Sequence, residues 1–74
     1  STNESSRERM KKILSMAGLN ELTERQRICI IDYYFNGKKQ KEIAENLGID
    51  SSTVSRHIIK ARDKLRHIAS YYVN

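Results

Sequence analysis

Apolar residues in this chain return at helical intervals, in blocks separated by polar or glycine punctuation. Met10, Ile13, Leu14 and Ala17 form the first stripe. Ser5 and Glu8 stand at capping-box spacing ahead of it, and Gly18 follows as a C-terminal cap. Residues 1–6 are polar and aperiodic, and are expected to be disordered, which sets the folded domain at 7–74. A second block opens at Thr23, with Gln26 three residues on as a second capping box. Glu24 in its first turn suits the positive end of the helix dipole. The block is apolar nearly all round from Ile28 to Ile31 and stops at Asn36-Gly37. Cys29, Ile30, Tyr33 and Tyr34 are its expected core residues. Ile28 or Ile31 is expected to stay exposed, and a cluster of such residues would indicate a partner.

The third block spans Gln40 to Leu47, with Ile43, Ala44 and Leu47 facing inward. Its entry is unusual, because Lys38 and Lys39 stand where an N-cap oxygen is favoured. A lysine offers no acceptor and its charge opposes the dipole; an adjacent phosphate would remove the conflict. Gly48 ends the block, and Asp50 or Ser51 caps the next. From Thr53 to Tyr72 there is neither Gly nor Pro. The apolar positions Val54, Ile58, Ala61, Leu65, Ile68 and Tyr72 follow steps of four and three, a heptad seam. At 1.5 Å per residue this helix runs about 30 Å. The expected fold is all-α: a four-helix helix-turn-helix domain with a long C-terminal recognition helix, its helix-turn-helix core at 40–62.

The chain has 74 residues, enough for one domain with a thin core. No apolar run is long enough to span a membrane, and no signal-peptide pattern is present. Cys29 stands alone, so it forms no internal disulfide, in keeping with a reducing cytosol. The first residue is Ser rather than Met, as in a processed product or a fragment of a longer protein. The net charge is +5, unevenly placed. Lys38 to Arg66 holds eight Lys or Arg against four Asp or Glu, whereas Ser1 to Gly37 holds six against five. A basic excess gathered on one unit is the footprint of a polyanion binder.

The unit from Gln40 onward meets the steric demands of a helix-turn-helix. Ala44 is small where the helices cross, Gly48 supplies the turn, and Val54 and Ile58 hold the second helix to the first. Placed at 100° per residue, Ser52, Ser55, Arg56 and Ile59 fall opposite Val54, Ile58, Ala61 and Leu65. The outer face is the one that would enter a major groove of double-stranded DNA. Arg56 is the best base reader, since its fork matches the O6 and N7 acceptors of guanine. Ser51, Ser52 and Ser55 can bond to bases or phosphates, and Ile59 can meet a thymine methyl or be incidental. Lys38, Lys39, Gln40, Lys41, Thr53, Lys60 and Arg62 are the candidate phosphate contacts, which fix register without reading sequence.

Other chemistry finds little support. His57 and His67 lie about 15 Å apart along one helix, too far to share a metal. Asp63 and His67 read as a surface pair, and Cys29 as an inert core residue. No Gly-rich phosphate loop or set of carboxylates suggests an enzyme, and no cofactor or metal is expected.

LTERQR at Leu22–Arg27, YYFNG at Tyr33–Gly37, KEIAENLGI at Lys41–Ile49 and STVSRHIIKARDKLR at Ser52–Arg66 resemble region 4 of sigma-70-type RNA polymerase sigma factors. The chain is similar also to the LuxR-type helix-turn-helix through TVSRH and Lys64-Leu65, although the spacing from Leu22 to Gly37 fits the sigma type better. The resemblance implies a helical domain that recognises promoter DNA, with Ser51, Ser52, Ser55 and Arg56 at the family's reading positions. It further implies RNA polymerase as a candidate partner, gripped through the Leu22–Phe35 helix, and a cytoplasmic, nucleoid-associated setting in a bacterium or phage. It departs from the family pattern at Lys39, where a Ser or Thr cap is usual, and at Asp63, where many relatives are basic. With no core-binding region 2 ahead of it, the chain is not expected to be a complete sigma factor. Two alternatives stand beside DNA regulation: a protein-interaction module binding polymerase or a regulatory partner, and the DNA-binding tail of a recombinase. The seam also outruns the core that the earlier helices supply, so Leu65, Ile68 and Tyr72 are the candidate self-association residues of a homodimer. The alternative cover for that seam is the first helix, folded back through Met10, Ile13 and Leu14.

Overall fold

The computed structural model describes residues 2–14 and 19–72, with side chains described for 7–12, 14, 20–68 and 70. Helix α1 spans Thr2–Ile13, a short 3-10 helix Leu19–Glu21, α2 Glu24–Tyr34, α3 Gln40–Leu47 and α4 Ser51–Tyr72. No strand occurs among the described residues. The domain is therefore all-α with four α-helices.

Each boundary has a chemical cause. Helix α1 starts ahead of the Ser5–Glu8 box, so Ser5 lies inside the helix rather than at its cap. Gly18 and Ala17 lie outside the described residues. Thr23 caps α2 as its spacing predicts: Gln26 N donates to Thr23 Oγ1 at 3.2 Å and Thr23 N donates to Gln26 Oε1 at 3.1 Å. Gly37, at φ +67°, turns the chain after α2. Lys38 N then donates to Asp32 O at 3.0 Å.

Helix α3 closes in a Schellman turn. Gly48 takes the left-handed conformation at φ +68°, its N donates to Glu45 O at 3.3 Å, and Ile49 N donates to Ala44 O at 3.0 Å. Asp50 O then accepts from Thr53 N and Val54 N, which makes Asp50 the backbone cap of α4. Only Gly48, Ile49 and Asp50 separate the two helices, the short Gly-containing connection of a helix-turn-helix.

One apolar cluster holds the helices together. Met10 and Leu14 come from α1 and its end, Leu22 from the loop, Cys29, Ile30 and Tyr34 from α2, Ile43 and Ala44 from α3, and Val54, Ile58, Ala61 and Leu65 from α4. Of the core residues expected on α2, Tyr33 is only half-buried; its ring meets Tyr34 edge-on, with centroids 5.0 Å apart. Leu47 is likewise half-buried, packed on the rim. Ile28 and Ile31 are half-buried too, so neither is the exposed residue expected there. Among the described residues the exposed large apolar side chains are Phe35 and Ile59. Helix α1 rests on the end of α2: the Arg7 guanidinium lies 6.0 Å from the Tyr33 ring centroid and Lys11 Nζ 5.9 Å from that of Phe35.

The first four positions of the α4 seam are thus consumed by the monomer. Leu65 has no exposed surface, which corrects its assignment to a self-association face. The thin core suggested by α2 and α3 alone is completed by Met10 and Leu14 from α1 and by Leu22, which the sequence pattern left in a linker. Ile68 is half-buried, and the Tyr72 side chain lies outside the described residues.

Candidate nucleic-acid interface

Helix α4 sorts its residues by azimuth. Val54, Ile58, Ala61 and Leu65 point into the core, while Ser51, Ser52, Arg56, Ile59 and Lys60 are exposed. Thr53, Ser55 and Arg62 sit on the flanks, half-buried. Of the base-reading candidates, Ser52, Arg56 and Ile59 therefore share the solvent side, Ser51 is exposed at the start of the helix, and Ser55 lies at the edge. Ile59 is 51% exposed, a large apolar residue in the middle of a polar face. Burying it on a partner would remove that surface from water.

The basic candidates around α3 differ from one another. Lys38 Nζ stands 3.8 Å from Asp32 Oδ2, an ion pair with Lys38 38% exposed, so part of its charge is already answered. Pairs at such exposure contribute little to stability. Lys39 and Lys41 are exposed and Gln40 is half-buried. At the entry to α3, Lys39 occupies the N-cap with no acceptor to offer, and Glu42 forms the half of a capping box that is chemically available. Its Oε1 accepts from Lys39 N at 3.2 Å. The carboxylate in the first turn thus offsets the lysines at the positive helix end, the conflict for which a phosphate was the expected remedy.

Two features escaped the sequence pattern. Gln26 is the one polar residue among the described residues that is buried in the core, at 6% exposure. Its Oε1 accepts both from Thr23 N and, at 3.2 Å, from Lys64 Nζ on α4. The partners are 38 residues apart, and helical spacing within one element says nothing about such a contact. The second is Asp32, which accepts from Asn36 Nδ2 at 2.8 Å while pairing with Lys38. Arg66 and His67 are further exposed groups on α4 beyond the predicted interface.

A family model for region 4 of sigma-70 factors matches residues 18–67, more than half of the chain. The chain belongs to the sigma-70 region 4 family. Its members are helix-turn-helix DNA-binding domains connected with transcription, and not an enzyme family. Comparison with curated proteins and with solved structures produced no match. The matched stretch takes in α2, α3 and the first seventeen residues of α4, and leaves α1 outside. Among the described residues no group of three or more His, Cys, Asp or Glu side chains could hold a metal ion. No helix among them is long and apolar enough to cross a membrane.

Proposed function

We propose that this domain binds double-stranded DNA with sequence preference and regulates transcription, with the first three turns of α4 in the major groove. The observation that carries the reading is the division of α4 within a sigma region 4 helix-turn-helix. Val54 and Ile58 lock the helix to α3, while Ser51, Ser52, Arg56 and Ile59 are left outward. Arg56 reads a guanine, Ile59 meets a thymine methyl, and Ser51, Ser52 and Ser55 add bonds of low discrimination. Lys39, Lys41, Lys60 and Arg62, with Gln40 and Thr53, hold phosphates on either side. Lys38 contributes less, since Asp32 competes for it. The setting is the nucleoid of a bacterium or phage host, with RNA polymerase as the further partner.

Selection of bound sites from a random duplex pool, followed by fluorescence anisotropy across a salt series, tests the reading. With about four phosphate-neutralising cations, log K should fall against log salt with a slope near −4. Arg56→Ala should cost about 1–3 kcal/mol on the selected site and relax one position. A flat salt response would sink the DNA reading, and an equal Arg56→Ala loss on every sequence would reduce Arg56 to a phosphate contact. Ile28 and Ile31 are half-buried, so they do not form the exposed cluster that would favour a protein-interaction module. A homodimer through α4 would have to rely on Ile68 and Tyr72 without Leu65.

A further inference from the structure

We infer that Lys64 is a positioning residue for the DNA-reading face, a role that rests on the DNA-binding reading above. Close packing of Val54, Ile58, Ala61 and Leu65 sets the azimuth of α4 coarsely, within the range that small side-chain adjustments absorb. A hydrogen bond has a narrow range of distance and angle. Lys64 Nζ donates to Gln26 Oε1 at 3.2 Å, and Gln26 itself is buried and held by both halves of the Thr23 capping box. The two lone pairs of that amide oxygen are then both used, by Thr23 N and by Lys64. The start of α2 thereby forms a fixed post, and α4 is tied to it at a point about 12 Å along the axis from Arg56.

The leverage is large. A rotation of α4 by about 10° moves a side-chain tip about 6 Å from the axis by about 1 Å. That exceeds the whole distance window of a good hydrogen bond. Arg56 and Ser52 would miss base edges while the flexible lysines kept their phosphates. Lys64 is thus a cation whose work is internal: it sets the sequence preference and leaves the salt dependence alone.

The test compares the wild-type domain, Lys64→Met and Lys64→Arg. Affinity is measured on a selected site and a scrambled duplex, and the rotation of α4 is read without DNA from residual dipolar couplings of its amides. Methionine keeps the packing stem and removes the donor; arginine keeps a donor. Lys64→Met should lower the ratio of specific to non-specific affinity about three- to tenfold, the net worth of one hydrogen bond. It should leave the salt slope unchanged and shift the phase of the couplings along α4, and Lys64→Arg should recover at least half of the ratio. A salt slope reduced by about one would make Lys64 a phosphate contact and overturn the inference. So would an unchanged phase, or a Lys64→Arg variant no better than Lys64→Met. If α4 turns in Lys64→Met but the wild type does not discriminate between duplexes, the tether stands and the DNA reading falls.

Discussion

Replacing Leu65 by Ala separates a monomer core from a dimer seam. Leu65 has 0% exposure and lies in the same cluster as Val54, Ile58, Ala61 and, from α1, Met10 and Leu14. Truncating a fully buried leucine removes its transfer free energy and leaves a cavity, together about 2–5 kcal/mol. A chain of 74 residues has a total stability of about 4–11 kcal/mol at the usual range per residue. The substitution therefore removes a large share of it. At about 4–8 °C per kcal/mol for a domain of this size, the midpoint should fall by at least about 8 °C. Thermal unfolding followed by circular dichroism, at protein concentrations a hundredfold apart, is the assay. A monomer gives one midpoint at both concentrations, whereas a dimer held through Leu65 melts higher when concentrated. A fall of under about 1 kcal/mol, or a concentration dependence of the wild-type midpoint that Leu65→Ala abolishes, would refute the assignment of Leu65 to the monomer core.

Gly48→Ala should cost about 1–2 kcal/mol, the penalty of a left-handed backbone with a Cβ, because the methyl itself would meet nothing within 4 Å; a neutral result in urea titration would contradict the turn geometry. Burial pushes the Cys29 thiol above its ordinary value, with Arg25 opposing and Asp32 adding to the shift. The folded state therefore keeps its proton longer than the unfolded chain does. Stability should hold below about pH 8.5 and fall as pH rises past it, a slope that Cys29→Ala removes in matched denaturant titrations. Glu42→Gln keeps an acceptor for Lys39 N but loses the charge, so the domain should lose about 0.3–1 kcal/mol of stability while binding DNA more tightly at low salt; unchanged affinity there would place phosphates away from the α3 entry.

What could be read from the sequence was what depends on neighbours within one turn. Thr23 and Gln26, three apart, announced a cap that forms in both directions. Gly48 announced a left-handed residue, and the four-three steps from Val54 to Leu65 announced a buried stripe. What could not be read depends on how elements meet. Asp32 and Lys38 pair across a turn, Gln26 and Lys64 across the core, and neither spacing is a helical one. The error at Leu65 has the same origin. The stripe was legible, but its cover was left between a second copy and α1, since helical spacing does not say where α1 and Leu22 pack; Met10 and Leu14, from α1 and its end, supply it at Leu65. At the start of α3 the charges conflict as the sequence indicates, and Glu42, three residues inward, offsets them in part, which residue-by-residue reading of the cap position did not include.

The division of α4 also explains which substitutions should mix stability with binding. A helix that both closes a core and reads a groove has two faces that can vary independently and two flanks that cannot. Ser52, Arg56, Ile59 and Lys60 are exposed, so changing them should cost little in folding and, on the proposed reading, should act on DNA contacts alone. Val54, Ile58, Ala61 and Leu65 are the reverse. Thr53, Ser55, His57 and Arg62 are half-buried along the borders and touch both problems at once. Lys64 belongs to this third group for a different reason: the residue is exposed, but its amine is tied to Gln26. A serine at position 55 suits such a border, being small enough to leave the α3–α4 crossing undisturbed and polar enough to face a phosphate or a base. Sequence preference in this domain is therefore expected to evolve through Arg56 and Ile59, which can change freely. Ser55 and Arg62 are constrained by packing before any DNA is bound.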